Sequence, residues 1–186
     1  MEELSVYILA GGKSSRMGTD KGLLTVSGKR MVQHIIDTVL PLTSNISIVS
    51  NNKAYESFGY PVIHDLIKDK GPVGGIYSAL SDSAVDLNLI LSCDTPFVSQ
   101  ALIKKLINYC KDVDVCIPSF NGRIHPIIGV YRKRNTKFYK NGIDEGQLKL
   151  MALNEKLNTL ILNTDAEFKE KEFVNFNTKK ELNKYV

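Results

Sequence analysis

The chain has 186 residues and a formal net charge of +4, with 43% hydrophobic and 24% charged residues. These values are ordinary for a soluble globular protein, and the length fits one domain over residues 1–186. The charge is mild and is not gathered into Lys/Arg runs with interleaved aromatic residues, which argues against a nucleic-acid-binding protein.

The first residues, Met1-Glu2-Glu3, are acidic, and no long apolar stretch follows them. We therefore expect neither a signal peptide nor a membrane span. The three cysteines are odd in number and lack C-x-x-C spacing, which argues against a disulfide framework and a zinc site. Together these features predict a protein of the reducing cytoplasm.

Short apolar runs alternate with helical patterns along most of the chain. Residues 4–10 form a nearly continuous apolar run, typical of a strand buried on both faces of a parallel sheet. Further strands are predicted at 46–49, 61–63, 87–91, 114–117, 124–131 and 157–162. Helices are predicted at 31–40, 71–80, 102–107 with Ser99 as a cap, and over most of 133–156 with a break near Asn141-Gly142. This order predicts an α/β fold, a doubly wound three-layer sandwich with a mostly parallel sheet.

A glycine-rich segment follows the first strand, and residues 9–22 read Leu-Ala-Gly-Gly-Lys-Ser-Ser-Arg-Met-Gly-Thr-Asp-Lys-Gly. Glycines let backbone N–H groups approach a ligand closely, while the cations Lys13, Arg16 and Lys21 neutralise its charge. The segment therefore predicts a phosphate-binding loop, with Lys21 reaching the phosphates; the alternative is a surface turn with solvated lysines. A P-loop is excluded because position 7 is tyrosine, and no G-x-G-x-x-G follows the strand.

Polar residues and glycines also follow the ends of four predicted strands, the place where α/β sheets bind ligands. They are Gly11-Gly12, Asn51, Asp65 and Asp94. Their convergence predicts one common site. Asp94 is favoured as a magnesium ligand, since Mg²⁺ prefers one or two carboxylates together with phosphate oxygens. The alternative for Asp94 is a cap of the turn at Thr95-Pro96.

The other positions have structural alternatives as well. Asp65 is favoured as a nucleotide contact over a loop cap, whereas Asn51 fits a turn equally well. Gly74 belongs to Gly71-Pro-Val-Gly-Gly75, which either lets a helix start approach a base or ribose or is a plain helix N-terminus. His64 and His125 are interpreted as structural, and no chemistry is assigned to Cys93.

Near the end of the chain, Asn175 and Asn177 lie two residues apart. In a strand they would share one face, with Val174 and Phe176 packing on the other, and would offer paired amide hydrogen bonds to a second ligand. The alternative for Asn177 is a cap of the helix predicted from Thr178.

Four segments in the same order resemble the molybdenum cofactor guanylyltransferase (MobA) family over nearly the whole chain. They are the loop of residues 9–22, Gly71-Pro-Val-Gly-Gly75, Cys93-Asp-Thr-Pro96 and Phe173-Val-Asn-Phe-Asn-Thr178. The loop alone is shared with the wider nucleotidyltransferase superfamily of Rossmann-like fold. Gly-Gly at 11–12, the Gly-Pro-Val-Gly-Gly segment and Asn-Phe-Asn are similar to the guanylyl branch.

This resemblance implies transfer of GMP from GTP to the terminal phosphate of molybdopterin, with release of pyrophosphate. It implies GTP contacts from Leu9, Ala10, Gly11, Lys21, Asn51, Asp65 and Asp94, to which Gly12 and Gly74 are added from their loops. Asp94 would also hold Mg²⁺, and Asn175 and Asn177 would face the pterin. Lys21, Arg16 and Asp94 are the predicted catalytic residues. A molybdopterin-delivering protein is a further expected partner.

Two other functions remain open at this stage. One is a cytidylyltransferase that acts on molybdopterin or on a sugar or polyol phosphate. The other is a non-catalytic GTP-binding regulator, which would bind the nucleotide without releasing pyrophosphate. A dinucleotide-dependent oxidoreductase is disfavoured because the first turn lacks its glycine fingerprint.

Overall fold

The computed structural model describes residues 3–11 and 20–176, and an eight-stranded sheet lies at its centre. The strands are β1 (Leu4–Leu9), β2 (Thr25–Val26), β3 (Lys29–Arg30), β4 (Ile46–Val49), β5 (Val62–Ile63), β6 (Leu87–Ser92), β7 (Val115–Phe120), β8 (Arg123–Ile124), β9 (Ile128–Arg132) and β10 (Thr159–Asn163). The helices are α1 (Met31–Val39), α2 (Gly71–Asp82), α3 (Gln100–Tyr109), α4 (Thr136–Asp144) and α5 (Leu150–Asn154). Short 3₁₀ helices span Lys21–Leu23, Lys53–Phe58, Lys133–Asn135 and Glu170–Phe173.

The strands follow the order β10-β7-β9-β6-β1-β4-β5, with β8 attached to β7. Strand β1 is parallel to both of its neighbours, β4 and β6, whereas β9 is antiparallel to β6 and β7. Strands β2 and β3 form a separate antiparallel pair. The predicted α/β class with a mostly parallel sheet is confirmed.

Successive side chains of β1 alternate between two hydrophobic cores, one on each face of the sheet, which explains the three-layer arrangement. Val6 and Ile8 are fully buried in a core on one face of the sheet, together with residues of α1 and α3. Tyr7 lies in a second core with residues of α2, α4 and α5. Successive side chains of a strand point to opposite faces, so an apolar run needs cover on both sides. Each buried aliphatic side chain contributes about 1.5–3 kcal/mol.

The predicted single strand over 124–131 is wrong. The chain instead makes a turn at Asn121 and Gly122, which have φ values of 49° and 73°, and then forms the short β8 and the separate β9. Pro126 lies between them, and a proline offers no N–H to a sheet ladder. The N–H of Ile128 donates to the carbonyl oxygen of His125 over 3.1 Å, which closes the connection.

The predicted helix break at Asn141-Gly142 is also misplaced. Helix α4 continues through Gly142, and the chain turns at Gly146, which has a φ of +74°. A Cβ on Gly142 would lie 2.7 Å from Cδ2 of Leu153, so this glycine serves close packing of α4 on α5. The predicted cap of α3 is confirmed, since Ser99 Oγ accepts from the N–H of Leu102.

Residues 174–176 are not part of a strand, contrary to the prediction for the segment around Asn175. The side chains of Val174 and Phe176 do pack together, against Leu24, Val26 and Met31. Asn177 and the helix predicted from Thr178 lie outside the described residues. Over the part of the chain that is described, none of the helices has the length and apolar character needed to cross a bilayer.

Candidate functional site

A cleft of about 710 Å³ opens at the carboxyl ends of the central strands. Leu9 and Gly11 line it at the end of β1, Asn51 after β4, Asp65 after β5, and Ser92 at the end of β6. Four neighbouring strands therefore contribute to one cavity. Parallel strands end at the same edge of a sheet, which is why residues far apart in the sequence meet here.

Asn51 and Asp65 bind each other across one wall of the cleft. The side-chain amide of Asn51 donates to Oδ2 of Asp65 over 3.0 Å, and its Oδ1 accepts from the backbone N–H of Asp65 over 3.3 Å. Burial raises the pKa of the Asp65 carboxyl, the hydrogen bond from Asn51 opposes this, and the charge of Asp69 adds to it. His64 is engaged with the backbone, since its Nδ1 lies 3.0 Å from the carbonyl oxygen of Ser50.

Asp94 lies two residues beyond the end of β6 and is partly exposed. Ser92 Oγ, which belongs to the cleft lining, donates to Oδ1 of Asp94 over 2.6 Å. Between them the N–H of Cys93 donates to the carbonyl oxygen of Leu9, which ties this turn to the end of β1. Asp94 is thus held at the edge of the cleft by the residue that precedes the turn.

Burial and the surrounding charges shift the pKa of the Cys93 thiol. Burial raises its pKa, and the carboxylates of Asp94 and Asp20 raise it further, whereas the ammonium group of Lys21 lowers it. The backbone of Cys93 is hydrogen-bonded to the end of β1 and its side chain lies against Gly22, so the turn after β6 and the end of the glycine-rich loop meet at Cys93.

Gly22 makes this meeting possible. A Cβ on Gly22 would lie 3.1 Å from Sγ of Cys93 and 3.2 Å from its Cβ, so the backbone at Gly22 rests directly on Cys93. Lys21 and Asp94 each lie one residue away from this contact. The contact between Gly22 and Cys93 therefore brings Lys21 and Asp94, their sequence neighbours, to the same strand end.

Sequence reasoning missed Asp20, which lines the cleft beside Lys21. Its carboxylate accepts hydrogen bonds from Tyr55, Asn52 and the backbone of Gly22. The only local signal for Asp20 was its place in the Asp-Lys-Gly end of the loop. Tyr55 and Asn52 lie 35 and 32 positions further along the chain, in and just before a 3₁₀ helix without a motif.

A second missed segment lines the cleft just before α2. It comprises Lys68, Asp69 and Lys70, which lead into the predicted Gly71-Pro72 helix start. Asp69 and Gly71 adopt left-handed backbone conformations, with φ values of 60° and 57°. The chain therefore turns sharply at the mouth of the cleft.

Several predicted residues occupy other places. Ala10 is fully buried. Gly74 is buried against the preceding segment, where a Cβ would lie 2.7 Å from Cβ of Lys70, and it is its neighbour Gly75 that lines the cleft. Lys21 and Asp94 adjoin the lining residues Asp20 and Ser92 without lining the cavity themselves. Gly12, Arg16 and Asn177 lie outside the described residues.

Asn175 lies near Asp94. The N–H of the next residue, Phe176, donates to the backbone carbonyl oxygen of Asp94 over 2.9 Å. The end of the described chain therefore passes beside the same turn that carries the predicted magnesium ligand.

Within residues 3–11 and 20–176, no group of three or more His, Cys, Asp or Glu side chains is arranged to hold a metal ion. Mg²⁺ does not require such a group, because one or two carboxylates suffice when phosphate oxygens and water complete its shell. Asp94, partly exposed and oriented by Ser92, is a carboxylate of this kind. The donor set therefore fits Mg²⁺ only together with a phosphate ligand.

Residues 6–157 match the family model described as the MobA-like NTP transferase domain. The chain is 41% identical to a probable molybdenum cofactor guanylyltransferase of Flavobacterium johnsoniae, over 98% of this chain and 96% of that protein. It is 33% identical to a molybdenum cofactor guanylyltransferase of Photobacterium profundum, over 99% and 96%.

Solved structures share the fold. Molybdopterin-guanine dinucleotide biosynthesis protein A from Archaeoglobus fulgidus superimposes with a TM-score of 0.81 at 22% identity, over 97% of this chain and 95% of that one. A 4-diphosphocytidyl-2C-methyl-D-erythritol synthase from Anaerococcus prevotii superimposes with a TM-score of 0.73 at 13% identity, over 97% and 93%. At these identities the superpositions establish the nucleotidyltransferase fold alone.

Proposed function

This chain belongs to the family of MobA-like NTP transferase domains and is a nucleotidyltransferase enzyme, and from that premise we propose that it transfers GMP from GTP to molybdopterin. An oxygen of the terminal phosphate of molybdopterin attacks the α-phosphorus of GTP. The bond from that phosphorus to the bridging oxygen breaks, and pyrophosphate leaves with the electron pair. The product is molybdopterin guanine dinucleotide.

The observation that carries this proposal is the convergence of four strand ends on one cleft, with Asp94 and Lys21 at its edge. Such a cleft suits a nucleotide, because backbone and amide groups contact the base and ribose while charges at one end meet the phosphates. Leu9, Gly11, Asn51 and Asp65 are the proposed nucleotide contacts. The guanylyltransferase names of relatives that span nearly the whole chain support GTP as the nucleotide.

The reaction needs no catalytic base, since a phosphate nucleophile is already ionised near pH 7. Catalysis then rests on positioning and on stabilising the charge of the transferred group. Lys21 supplies a positive charge beside Asp94, and Arg16 is proposed to act with it from the glycine-rich loop. Asp94 would hold Mg²⁺, which when bound neutralises the phosphate oxygens.

The second substrate is proposed to lie on the side of Asn175 and Asn177. Support comes from the hydrogen bond between Phe176 and Asp94, which holds Asn175 beside the turn after β6. Amide side chains there would orient the pterin while its phosphate approaches GTP. A cytoplasmic location and a molybdopterin-delivering partner stay predictions.

A pyrophosphate-release assay with molybdopterin, Mg²⁺ and each of the four nucleoside triphosphates tests the proposal. We expect release with GTP and a rise of the melting temperature with GTP in the absence of molybdopterin. Release with CTP instead would indicate a cytidylyltransferase. Binding of GTP without any release of pyrophosphate would indicate a regulator.

A further inference from the structure

We propose that Asp20 is a positioning residue, clamped by Tyr55 and Asn52, that holds Lys21 against the strand end carrying Asp94. This inference rests on the proposed nucleotide site. It adds to that site a residue that contacts neither the phosphates nor the metal ion but holds a residue that does contact the phosphates. The clamp joins the end of the glycine-rich loop to the segment after β4. It fixes the backbone position from which the side chain of Lys21 extends.

Three hydrogen bonds converge on the Asp20 carboxylate. Oδ1 accepts from the hydroxyl of Tyr55 over 2.5 Å and from the backbone N–H of Gly22 over 3.2 Å. Oδ2 accepts from the side-chain amide of Asn52 over 3.2 Å. Tyr55 is fully buried, so its hydroxyl group has no access to water as a substitute partner. The bonds therefore fix the carboxylate in one orientation.

A carboxylate rather than an amide is needed at position 20, because all three hydrogen-bond partners of this side chain are donors. The Oδ1 of Asn52 already accepts from the N–H of Ala54 at the start of the 3₁₀ helix Lys53–Phe58, so its amino group must face Asp20. Tyr55 and Gly22 are also donors. An asparagine at position 20 would place its own amino group against one of these donors, and one hydrogen bond would be replaced by repulsion.

Packing fixes the path of the chain as well. A side chain on Gly22 would collide with the hydroxyl of Tyr55 and press on Sγ of Cys93. The backbone at Gly22 thus passes between Tyr55 and Cys93 with no room to shift. Because Lys21 directly precedes Gly22, its side chain projects from a backbone that is held on both sides. The backbone at Lys21 is therefore already ordered before the phosphates bind, and only the side chain has still to be placed.

A purely structural role would make a different prediction. If Asp20 only stabilised the fold, its loss would lower the melting temperature and leave Kd unchanged. If Asp20 acted on the nucleotide independently of Lys21, the effects of the two substitutions on Kd would multiply. If Asp20 acts through Lys21, its loss would raise Kd in the wild type but have little further effect once the lysine side chain is gone, and a double-mutant cycle separates these cases.

The experiment measures the Kd of the magnesium complex of whichever nucleoside triphosphate the wild-type protein binds best. The variants are Asp20→Asn, Tyr55→Phe and Lys21→Ala, with Asp20→Asn and Tyr55→Phe each also combined with Lys21→Ala. We expect Asp20→Asn to raise Kd about tenfold, since a hydrogen bond to a charged group is at stake. In the Lys21→Ala background, the same change should alter Kd by less than about twofold.

Two matched controls come from elsewhere in the chain. Tyr139→Phe removes a buried hydroxyl that donates to Asn154, and Asp114→Asn alters a carboxylate that accepts from Arg134 and Asn158. Both should lower the melting temperature and leave Kd unchanged. Should Asp20→Asn fail to fold, Tyr55→Phe provides the cycle, because it removes one hydrogen bond and keeps the ring.

Multiplying effects of Asp20→Asn and Lys21→Ala, or a wild-type Kd in Asp20→Asn, would overturn the inference while leaving the proposed function intact. A wild-type protein that binds no nucleoside triphosphate would overturn both. Preference for CTP would contradict the proposed guanylyl transfer but not the role of Asp20. The Kd values of the double-mutant cycle would then be measured with CTP.

Discussion

The backbone N–H of Phe176 donates a hydrogen bond to the carbonyl oxygen of Asp94 over 2.9 Å. Phe176 is itself fully buried, and its ring meets that of Phe97 edge-on at 5.4 Å between centroids. The end of the described chain is therefore anchored at the turn after β6. In the proposed reaction, this anchor holds the pterin side of the site against the nucleotide side.

Asp94→Asn should raise the Mg²⁺ concentration for half-maximal pyrophosphate release at least about tenfold, because loss of a ligand costs at least as much as loss of its supporting groups. The hydrogen bond from Ser92 can persist in this variant, so the turn should keep its shape. Asp165→Asn, which changes a carboxylate bonded to the backbone of Asn121, is the control. An unchanged magnesium titration for Asp94→Asn would rule out its role as a ligand.

Lys21→Ala should lower the turnover number about 100- to 1,000-fold, the usual effect of removing one group that stabilises transition-state charge. The melting temperature should change little, since Lys21 is partly exposed. Lys29→Ala is the control: it removes an exposed lysine paired with Asp37, a pair worth less than about 1 kcal/mol. Near-normal pyrophosphate release by Lys21→Ala would show that the lysine has no catalytic role.

Asp65→Asn should weaken GTP binding and yet stabilise the free protein at pH 7. Burial raises the pKa of Asp65 above its ordinary value of 3.8, so the fold favours the protonated form and ionisation at higher pH costs stability. The higher stability of the variant relative to the wild type should be absent below about pH 4, where Asp65 is protonated in the folded and the unfolded chain alike. The difference should grow as the pH rises.

The gain for Asp65→Asn should be a fraction of a kcal/mol, because the carboxyl group is still partly exposed. Melting curves from pH 4 to pH 8 and a titration with GTP provide the measurements. Asp144→Asn, at an exposed carboxylate paired with Lys140, should change neither. A destabilised Asp65→Asn variant at pH 7 would contradict the assigned cost of burial.

His125 should make the protein sensitive to acid. Burial, and then the charge of Arg123, lower its pKa from 6.5 to about 4, while its ring lies 5.0 Å from that of Phe173. The unfolded chain therefore takes up a proton near pH 6.5, but the folded chain does so only near pH 4. Stability should fall as the pH decreases through this window, by up to about 3 kcal/mol.

His125→Phe removes the titrating group and keeps an aromatic ring beside Phe173. Its free energy of unfolding should fall less than that of the wild type between pH 6.5 and pH 4, as measured by urea denaturation at each pH. His64→Gln, at an exposed histidine, serves as the control. Parallel pH profiles for His125→Phe and the wild type would exclude His125 as the source of acid sensitivity.

Much of the fold was predictable because the signals are local. The apolar runs of β1, β4 and β6, the cap at Ser99 and the proline near the start of α2 each depend on residues within one element. The prediction of one strand over 124–131 failed at Pro126, because the apolar residues on the two sides of this proline belong to two different strands, β8 and β9. Hydrophobicity marks burial, but it does not tell which neighbour a strand will pair with.

The sequence by itself determined the α/β class and the four strand ends that line or adjoin one cleft. Only the tertiary structure decided that β9 inserts antiparallel between β6 and β7, and that Asp20 is held by Tyr55 and Asn52. The reason is physical: alternation and capping are properties of adjacent residues, whereas hydrogen bonds across 32 and 35 positions exist only after the chain path has brought their partners together.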